Sequence, residues 1–355
     1  MQHFGIHIDW LSCHGVGAVT RTAFSRYRVE NTGKSSANYK HVWDVVRLED
    51  NAKVGILLTD PFSNIIDAHS VHFKIENREL WENPHFVQEI KNIFADLDLT
   101  FKGLSRVDYC CDFDEFANRL KPQTLIENFL AMKYRKFGRT HYNLHGDQLT
   151  HGQAFSYIAF GKRTSGVMTY LYNKSLEMRQ VVSKPYITAA AKACGINTAR
   201  DFWRLEISVN TNKVRIINSA TGEVITPTLE LLADKSFMRS TFFSLAYKYF
   251  RFHINNGARD IKDNPILFLF ERNLWNDRQI VRIEQSTEQE SNRSTKIFIK
   301  KLLLQEQELY ALDAIEREAL HQVQQSVQAR YKRTFDYVEE RLHANNELKD
   351  YTTKR

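Results

Sequence analysis

The sequence predicts an α+β protein: a mainly antiparallel sheet with flanking helices, followed by a C-terminal helical region. Three observations predict it. Several short segments alternate apolar and polar residues with period two, which marks half-buried strands. Helical spacing separates these segments, and one strand pair is joined by a short Gly-containing turn as in an antiparallel hairpin. After about residue 214 the texture changes to long runs rich in Leu, Gln, Glu, Lys and Arg with few breakers.

In order, IHIDWLSC near the start and SVHFKIE after position 69 read as strands. NPHFVQEIKNIFADL follows, with apolar residues three and four apart, as a helix. LSRVDYCCDFDEF is the next strand. LKPQTLIENFLAMKYRKF reads as a second helix, with proline near its start, where the missing N–H costs nothing. AFSYIAFG, the turn KRTSG, and VMTYLYNKS form a hairpin, and DFWRLEISVN is a further strand. TLELLADKSFMRSTFFSLAYKYFRFH is an aromatic-rich helix. Thr295 to about Ala344, including IFIKKLLLQEQELYALDAIEREALHQV, is one or two helices. Residues 1–213 are thus expected to form one domain and 214–355 a helical region. No repeat or low-complexity linker interrupts them.

The 355 residues are 43% hydrophobic and 26% charged, enough apolar content to bury a core, which excludes wholesale disorder. Lys and Arg (49) exceed Asp and Glu (42), for a formal charge of +7. That balance is compatible with a polyanionic partner without requiring one. Cys13, Cys110, Cys111 and Cys194 form no paired CxxC motifs, so a structural zinc site is not expected. They read as reduced, buried side chains of a cytoplasmic protein. The opening residues lack the basic and apolar regions of a signal peptide. No run of 18 apolar residues implies a membrane span.

Residues two apart on a strand share a face. Arg106, Asp108, Cys110 and Asp112 therefore lie together, as do Arg204, Glu206 and Ser208, and Met168, Tyr170, Tyr172 and Lys174. Pairing of these strands would gather carboxylates, a lysine and tyrosines on one surface. Carboxylates are hard ligands for Mg²⁺ or Mn²⁺. Such an ion offsets charge on a phosphate under attack, and a tyrosine oxygen is a competent covalent nucleophile. Lys174 could lower the tyrosine's pKa or steady the phosphate. The same alternation arises on any solvated sheet face, with surface ion pairs such as Arg106–Asp108, so patterning alone leaves both readings open.

AFSYIAFGKRTSGVMTYLYNKSLEM resembles the active-site segment of the replication initiation factor family, through Gly161, Arg163, Ser165, Tyr172, Asn173, Lys174 and Glu177. The family comprises plasmid rolling-circle initiators, with relatives in filamentous phages and in integrative and mobilizable elements. DFWRLEISV resembles its Trp-Arg-hydrophobic-Glu strand through Trp203, Arg204 and Glu206. SRVDYCCDF resembles its Arg-hydrophobic-Asp strand through Arg106, Asp108 and Asp112, and Asp9–Trp10 match a common opening. The four motifs span roughly residues 5–210; nothing after about 215 matches.

The resemblance implies a metal-dependent, site-specific DNA nickase that starts rolling-circle replication. Tyr172 would be the nucleophile, leaving a 5′-phosphotyrosine and a free 3′-hydroxyl. Asp108 and Glu206 would hold Mg²⁺ or Mn²⁺, with Asp112 a third ligand. Lys174 and Arg204 would contact phosphate or position the carboxylates. Tyr170 stands where relatives carry a basic residue, and is the alternative or second nucleophile. A His-hydrophobic-His metal motif is absent, and the histidines read as loop residues or strand fillers. The expected partner is origin DNA, single-stranded or in a hairpin, with a helicase or a second copy of the chain as further partners. Arg163, and Lys133, Arg135, Lys136 and Arg139 in the stretch Lys133–Tyr142, are the expected DNA contacts, and Lys248–His253 is a second basic, aromatic stretch. Either stretch also fits the core face of an amphipathic helix. A conjugative relaxase with the same chemistry and a non-catalytic DNA-binding regulator are the alternative functions.

Overall fold

The computed structural model describes residues 3–62, 67–138, 141–149, 152–162, 165–275, 281–285, 287–306 and 314–344. The chain divides into two compact units, residues 1–62 with 67–285, and residues 63–66 with 286–355. No helix among the described residues is long and apolar enough to cross a membrane.

The elements of the first unit run β1 (Phe4–Val16), β2 (Tyr27–Asn31), β3 (Tyr39–Arg47), β4 (Lys53–Pro61), β5 (Ser70–Ile75), α1 (Asn77–Glu82), α2 (Phe86–Asp96) and β6 (Thr100–Phe113). Then come α3 (Pro122–Leu130), β7 (Tyr134–Lys136), β8 (Tyr142–Leu149), β9 (Gly152–Phe160), β10 (Val167–Asn173), α4 (Lys174–Gln180), α5 (Pro185–Ala193) and β11 (Trp203–Asn210). The unit ends with β12 (Val214–Asn218), β13 (Val224–Ile225), α6 (Leu229–Ala233), α7 (Lys235–Tyr249), β14 (Phe252–Ile254), β15 (Ile266–Leu267), α8 (Arg272–Trp275) and β16 (Val281–Gln285).

The fold is α+β, as the sequence predicts. Ten strands form one sheet in the order β2-β3-β4-β5-β1-β6-β11-β10-β9-β8, and each neighbouring pair is antiparallel. Two small sheets, β13-β12-β16 and β15-β14-β7, complete the unit. Alternation does not single out β3, because its register against β4 shifts between Val45 and Val46, and both side chains are buried. A bulge of this kind breaks period two locally.

LKPQTLIENFLAMKYRKF is not one helix. The chain leaves α3 through a left-handed Met132 (φ 58°), the Lys133 N–H donates to the Asn128 carbonyl, and β7 begins at Tyr134. This Schellman ending satisfies the last carbonyls without glycine, which is why composition does not announce it. α2 ends the same way, with Asp98 left-handed (φ 55°) and the Leu99 N–H on the Phe94 carbonyl.

One sheet face is apolar. Val107, Tyr109, Cys111 and Phe113 of β6 join Leu205, Ile207 and Val209 of β11, with Phe242, Phe243 and Leu245 of α7, in a single buried cluster. Residues 237–246 of α7 are buried nearly all round, so the helix is a core element. Residues 214–285 thus fold with the sheet, although the texture of the sequence changes there. The other face carries α1, α4 and α5, with a small cluster of Ile187, Ala191, Ile196 and Phe202.

The β9–β10 hairpin is as expected, with Thr169 opposite Phe160. Its turn requires Gly161, whose φ is +107°, and the single Ser165 Oγ proton can go to the carbonyl of Lys162 (2.6 Å) or of Val167 (2.7 Å). A Cβ at Gly161 would meet the Val167 carbonyl oxygen at 3.0 Å. Gly161→Ala is therefore expected to cost about 1–3 kcal/mol in denaturant melts, through left-handed strain on an L-residue. A wild-type midpoint would refute it.

In the second unit, α9 (Thr287–Glu306) and α10 (Ala314–Ala344) pack together through Ile299, Leu302, Leu303, Phe335, Val338 and Leu342. These are the helices expected from the final run of the sequence.

Candidate active site

Strand pairing decides which polar side chains meet. β11 lies between β6 and β10, with Ser208 opposite Asp108, Arg204 opposite Asp112, Tyr170 opposite Glu206 and Tyr172 opposite Arg204. Asp108, Asp112, Glu206, Arg204, Tyr170 and Tyr172 thus share the polar face. β1 adds one more acid. Its register against β6 shifts between Ile8 and Trp10, so both Ile8 and Leu11 reach the apolar core while Asp9 turns to the polar face.

Arg204 is fully buried and pins three strands together. Its Nε and Nη2 donate to the two Asp112 oxygens at 2.6 and 2.8 Å, and its Nη1 donates to Asp9. The Trp81 ring covers the guanidinium at 5.0 Å. Asp112 is 1% exposed, with both oxygens committed to this arginine. Burial opposes ionisation of Asp9, but Arg204, Lys174 and Lys184 outweigh it and hold its pKa near 2. Arg204 therefore positions carboxylates; its guanidinium does not face solvent.

Asp108, 2% exposed, accepts from Arg106 Nε and Nη2 at 2.8 and 2.6 Å. Burial raises its pKa against the pull of Arg106. Glu206 is the acid on this face whose recorded partner is a phenol: Tyr172 Oη donates to its Oε2 at 2.8 Å. Burial, then the charges of Asp9 and Asp108, push the Glu206 pKa up to about 8. Burial and the adjoining Glu206 hold the Tyr172 phenol well above its ordinary value. Tyr170 Oη points instead to Met168 Sδ at 3.3 Å, and its pKa is raised to about 12 by burial and then Glu206.

Lys174 is not a strand residue. β10 ends at Asn173, whose side chain accepts from the Leu176 N–H at 2.9 Å and caps α4, which Lys174 opens. The lysine is 1% exposed, its Nζ lies 2.8 Å from Glu177, and the ammonium sits 5.5 Å from the Tyr172 ring centroid.

Tyr172 and Glu206 line a cavity of about 430 Å³ between the sheet and α4, which Tyr170, Tyr157 and His145 also line. The His145 and Tyr157 rings are 4.9 Å apart, and Tyr157 and Tyr170 are 6.3 Å apart. Asp9, His145 and Tyr157 are site residues that pattern reading does not select. His145 reaches the cavity only because β8 pairs with β9, for which the sequence carries no local signal. The one clue to Tyr157 is its place in the strand preceding the Gly161 turn.

Among the described residues, no three His, Cys, Asp or Glu side chains converge as a metal-binding group. Two carboxylates can suffice for Mg²⁺, which keeps several waters and takes substrate phosphate oxygens. Glu206 suits that role, since it holds a proton to about pH 8 against two neighbouring acids, a strain that a cation relieves, and Asp108 could join it were the partly exposed Arg106 to release its two oxygens. Asp112, held through both oxygens by Arg204, does not fit as a third ligand.

The expected DNA contacts are divided. Lys133 is exposed and Arg135 donates to the Ala258 carbonyl at 2.8 Å. Lys136 is buried, with its Nζ 4.9 Å from the Phe160 centroid and its pKa lowered to about 8 by burial, so it does not face a surface polyanion. Arg139 and Arg163 lie outside the described residues.

The raised Glu206 pKa makes a stability prediction. The unfolded chain loses the glutamic proton above about 4.5, whereas the folded chain keeps it to about 8. The stabilisation present below the unfolded value is therefore lost as pH rises from 4.5 to 8. Glu206→Gln removes this titration, so its stability relative to wild type should rise between pH 5 and 8 by on the order of 1–4 kcal/mol. Parallel stability profiles for the two proteins would contradict it.

No family model and no curated protein matches the chain. Among solved structures it is similar to the rolling circle replication initiator protein from Geobacillus stearothermophilus. That likeness has a TM-score of 0.47 at 11% identity and covers 78% of this chain and 97% of the other, too distant to assign an activity.

Proposed function

We propose that the protein is a rolling-circle replication initiator that nicks one DNA strand with Tyr172. The observation that carries this reading is the 2.8 Å hydrogen bond from the Tyr172 phenol to Glu206, at the wall of an open cavity and on the face that bears Asp108. The sequence motifs around Tyr172, Glu206 and Asp108 resemble those of replication initiation factors in the same order.

Glu206 accepts the phenol proton as Tyr172 Oη attacks the scissile phosphorus. The bond to the 3′-oxygen breaks, and that oxygen takes a proton from solvent. The chain then carries the 5′-phosphate on Tyr172. Without a cation the Glu206 carboxyl is held near 8; a bound cation would lower that value and leave the carboxylate free to take the phenol proton near neutral pH. A divalent cation held by Asp108 and Glu206 would supply charge for the phosphate oxygens. Arg204, through Asp9 and Asp112, keeps β1, β6 and β11 in register beneath the site. Tyr157, Tyr170 and His145 offer ring faces on which an unpaired base can stack. The test is incubation with origin single strands and Mn²⁺, read as a covalent protein–DNA adduct.

A second reading is favoured by one observation: both oxygens of Asp108 are held by Arg106 and both of Asp112 by Arg204. A DNA-binding regulator with no cleavage would have such fully paired acids. Tight binding to origin DNA with no adduct under Mg²⁺ or Mn²⁺ would select it.

A further inference from the structure

The stretch Lys248–His253 is absorbed only in part by the core. Phe250 and Phe252 are buried in the main cluster, but Lys248 and Arg251 turn to a second cavity, of about 460 Å³. Phe137, Ser219, Tyr247 and Arg282 also line it, and it shares no residue with the Tyr172 cavity. Tyr247 and Lys248 lie at the end of α7, the helix packed on the apolar side of the sheet, whereas Tyr172 lies on the polar side.

Arg251 is set in this cavity against two aromatic rings. Its guanidinium carbon is 3.8 Å from the Phe137 ring centroid and 4.3 Å from that of Tyr247. Two rings on the guanidinium leave its N–H edge as the face for hydrogen bonding. Its Nε is buried and has no hydrogen-bond partner among the described residues. A buried donor left without an acceptor is destabilising, so a site of this kind calls for one. Lys248 Nζ donates to the Ile283 carbonyl at 2.6 Å, which leaves further ammonium donors. Arg282 is exposed and 3.5 Å from Glu284, an acid that does not itself line the cavity. Three cations, the hydroxyls of Ser219, Ser244 and Tyr247, and no lining carboxylate are the chemistry of a phosphate site, and the planar fork of Arg251 matches two phosphate oxygens.

We propose that the cavity formed by Lys248, Arg251, Arg282, Phe137 and Tyr247 binds a phosphate group, the backbone of duplex DNA being the expected source and a free phosphate or pyrophosphate the other. It is a second anion site, separate from the chemistry at Tyr172, and it stands whether or not the protein nicks DNA. Its role in an initiator would be to hold the flanking duplex while a single strand occupies the Tyr172 cavity.

The test uses the full chain. Duplex DNA binding is followed by fluorescence anisotropy over a KCl series, and pyrophosphate binding by thermal shift. Arg251→Met with Arg282→Gln is expected to weaken duplex binding about 10-fold near 0.1 M salt and to reduce the salt slope by about one to two, the value for one or two lost phosphate contacts. Adduct formation on a short single strand stays within about 2-fold of wild type, since neither residue lines the Tyr172 cavity. Arg251→Lys, which keeps the charge, should recover part of the slope. An unchanged slope with a lost pyrophosphate shift assigns the site to the free anion. Should Arg251→Met disturb folding, Arg282→Gln alone, at an exposed position, gives the same reading with a smaller change. Wild-type slope and wild-type pyrophosphate shift in folded variants would overturn the proposal.

Discussion

Tyr172→Phe is expected to abolish covalent adduct formation, a loss of at least about 1,000-fold, while Tyr170→Phe stays within about 3-fold of wild type. The replacement keeps the ring and its packing, and removes only the oxygen proposed to attack and its bond to Glu206 at 2.8 Å. The accompanying stability change should be about 1 kcal/mol, the net value of one hydrogen bond. Tyr170 loses only a contact to Met168 sulfur, so its variant reports on cavity shape. Glu206→Gln should lower the adduct rate by about 100-fold or more, the usual contribution of a general base. In wild type with the cation bound the rate should rise with pH to a plateau below 8, as Glu206 gives up its proton, and the glutamine variant should lack that rise. If Tyr170→Phe silences the reaction and Tyr172→Phe does not, the nucleophile is the other tyrosine.

The second large effect concerns stability. Arg204→Met removes a buried cation and strands the Asp112 carboxylate, 1% exposed, together with Asp9. Removing one partner of a buried pair costs about 3–5 kcal/mol, a large part of the net stability of a typical domain. The measurement is urea unfolding at constant pH. Combining Arg204→Met with Asp112→Leu should recover part of the loss, because the fully buried Asp112 charge is gone and only Asp9, which still accepts from Asn77, is left without its arginine. Arg204→Lys should not rescue, since an ammonium cannot span both Asp112 oxygens and Asp9. An arginine kept for phosphate contact would show the opposite pattern: wild-type melting for Arg204→Met with adduct formation lost.

The face shared by Asp108 and Asp112, that shared by Arg204 and Glu206, and that shared by Tyr170 and Tyr172 are each legible from strand alternation, because period two is a local property of extended backbone. The hairpin around Gly161 is legible for the same reason. Lys174 misleads such a reading, since Asn173 caps a helix one residue earlier than the alternation suggests. The basic, aromatic stretch Lys133–Tyr142 misleads a reading by composition at Lys136, because α3 gives way at a left-handed methionine and the next strand turns the ammonium inward.

By itself the sequence determined the α+β class, the strands that carry the acids and tyrosines, and the side of each strand on which they stand. Only the tertiary structure decided that β11 lies between β6 and β10, that a bulge in β1 brings Asp9 to Arg204, and that Asp112 is used up in that contact. It also brought His145 and Tyr157 to the cavity and set Arg251 against two rings. The reason is that side-chain alternation depends on neighbouring φ and ψ alone, whereas partner, register and the charge balance of a buried site depend on segments up to 195 residues apart.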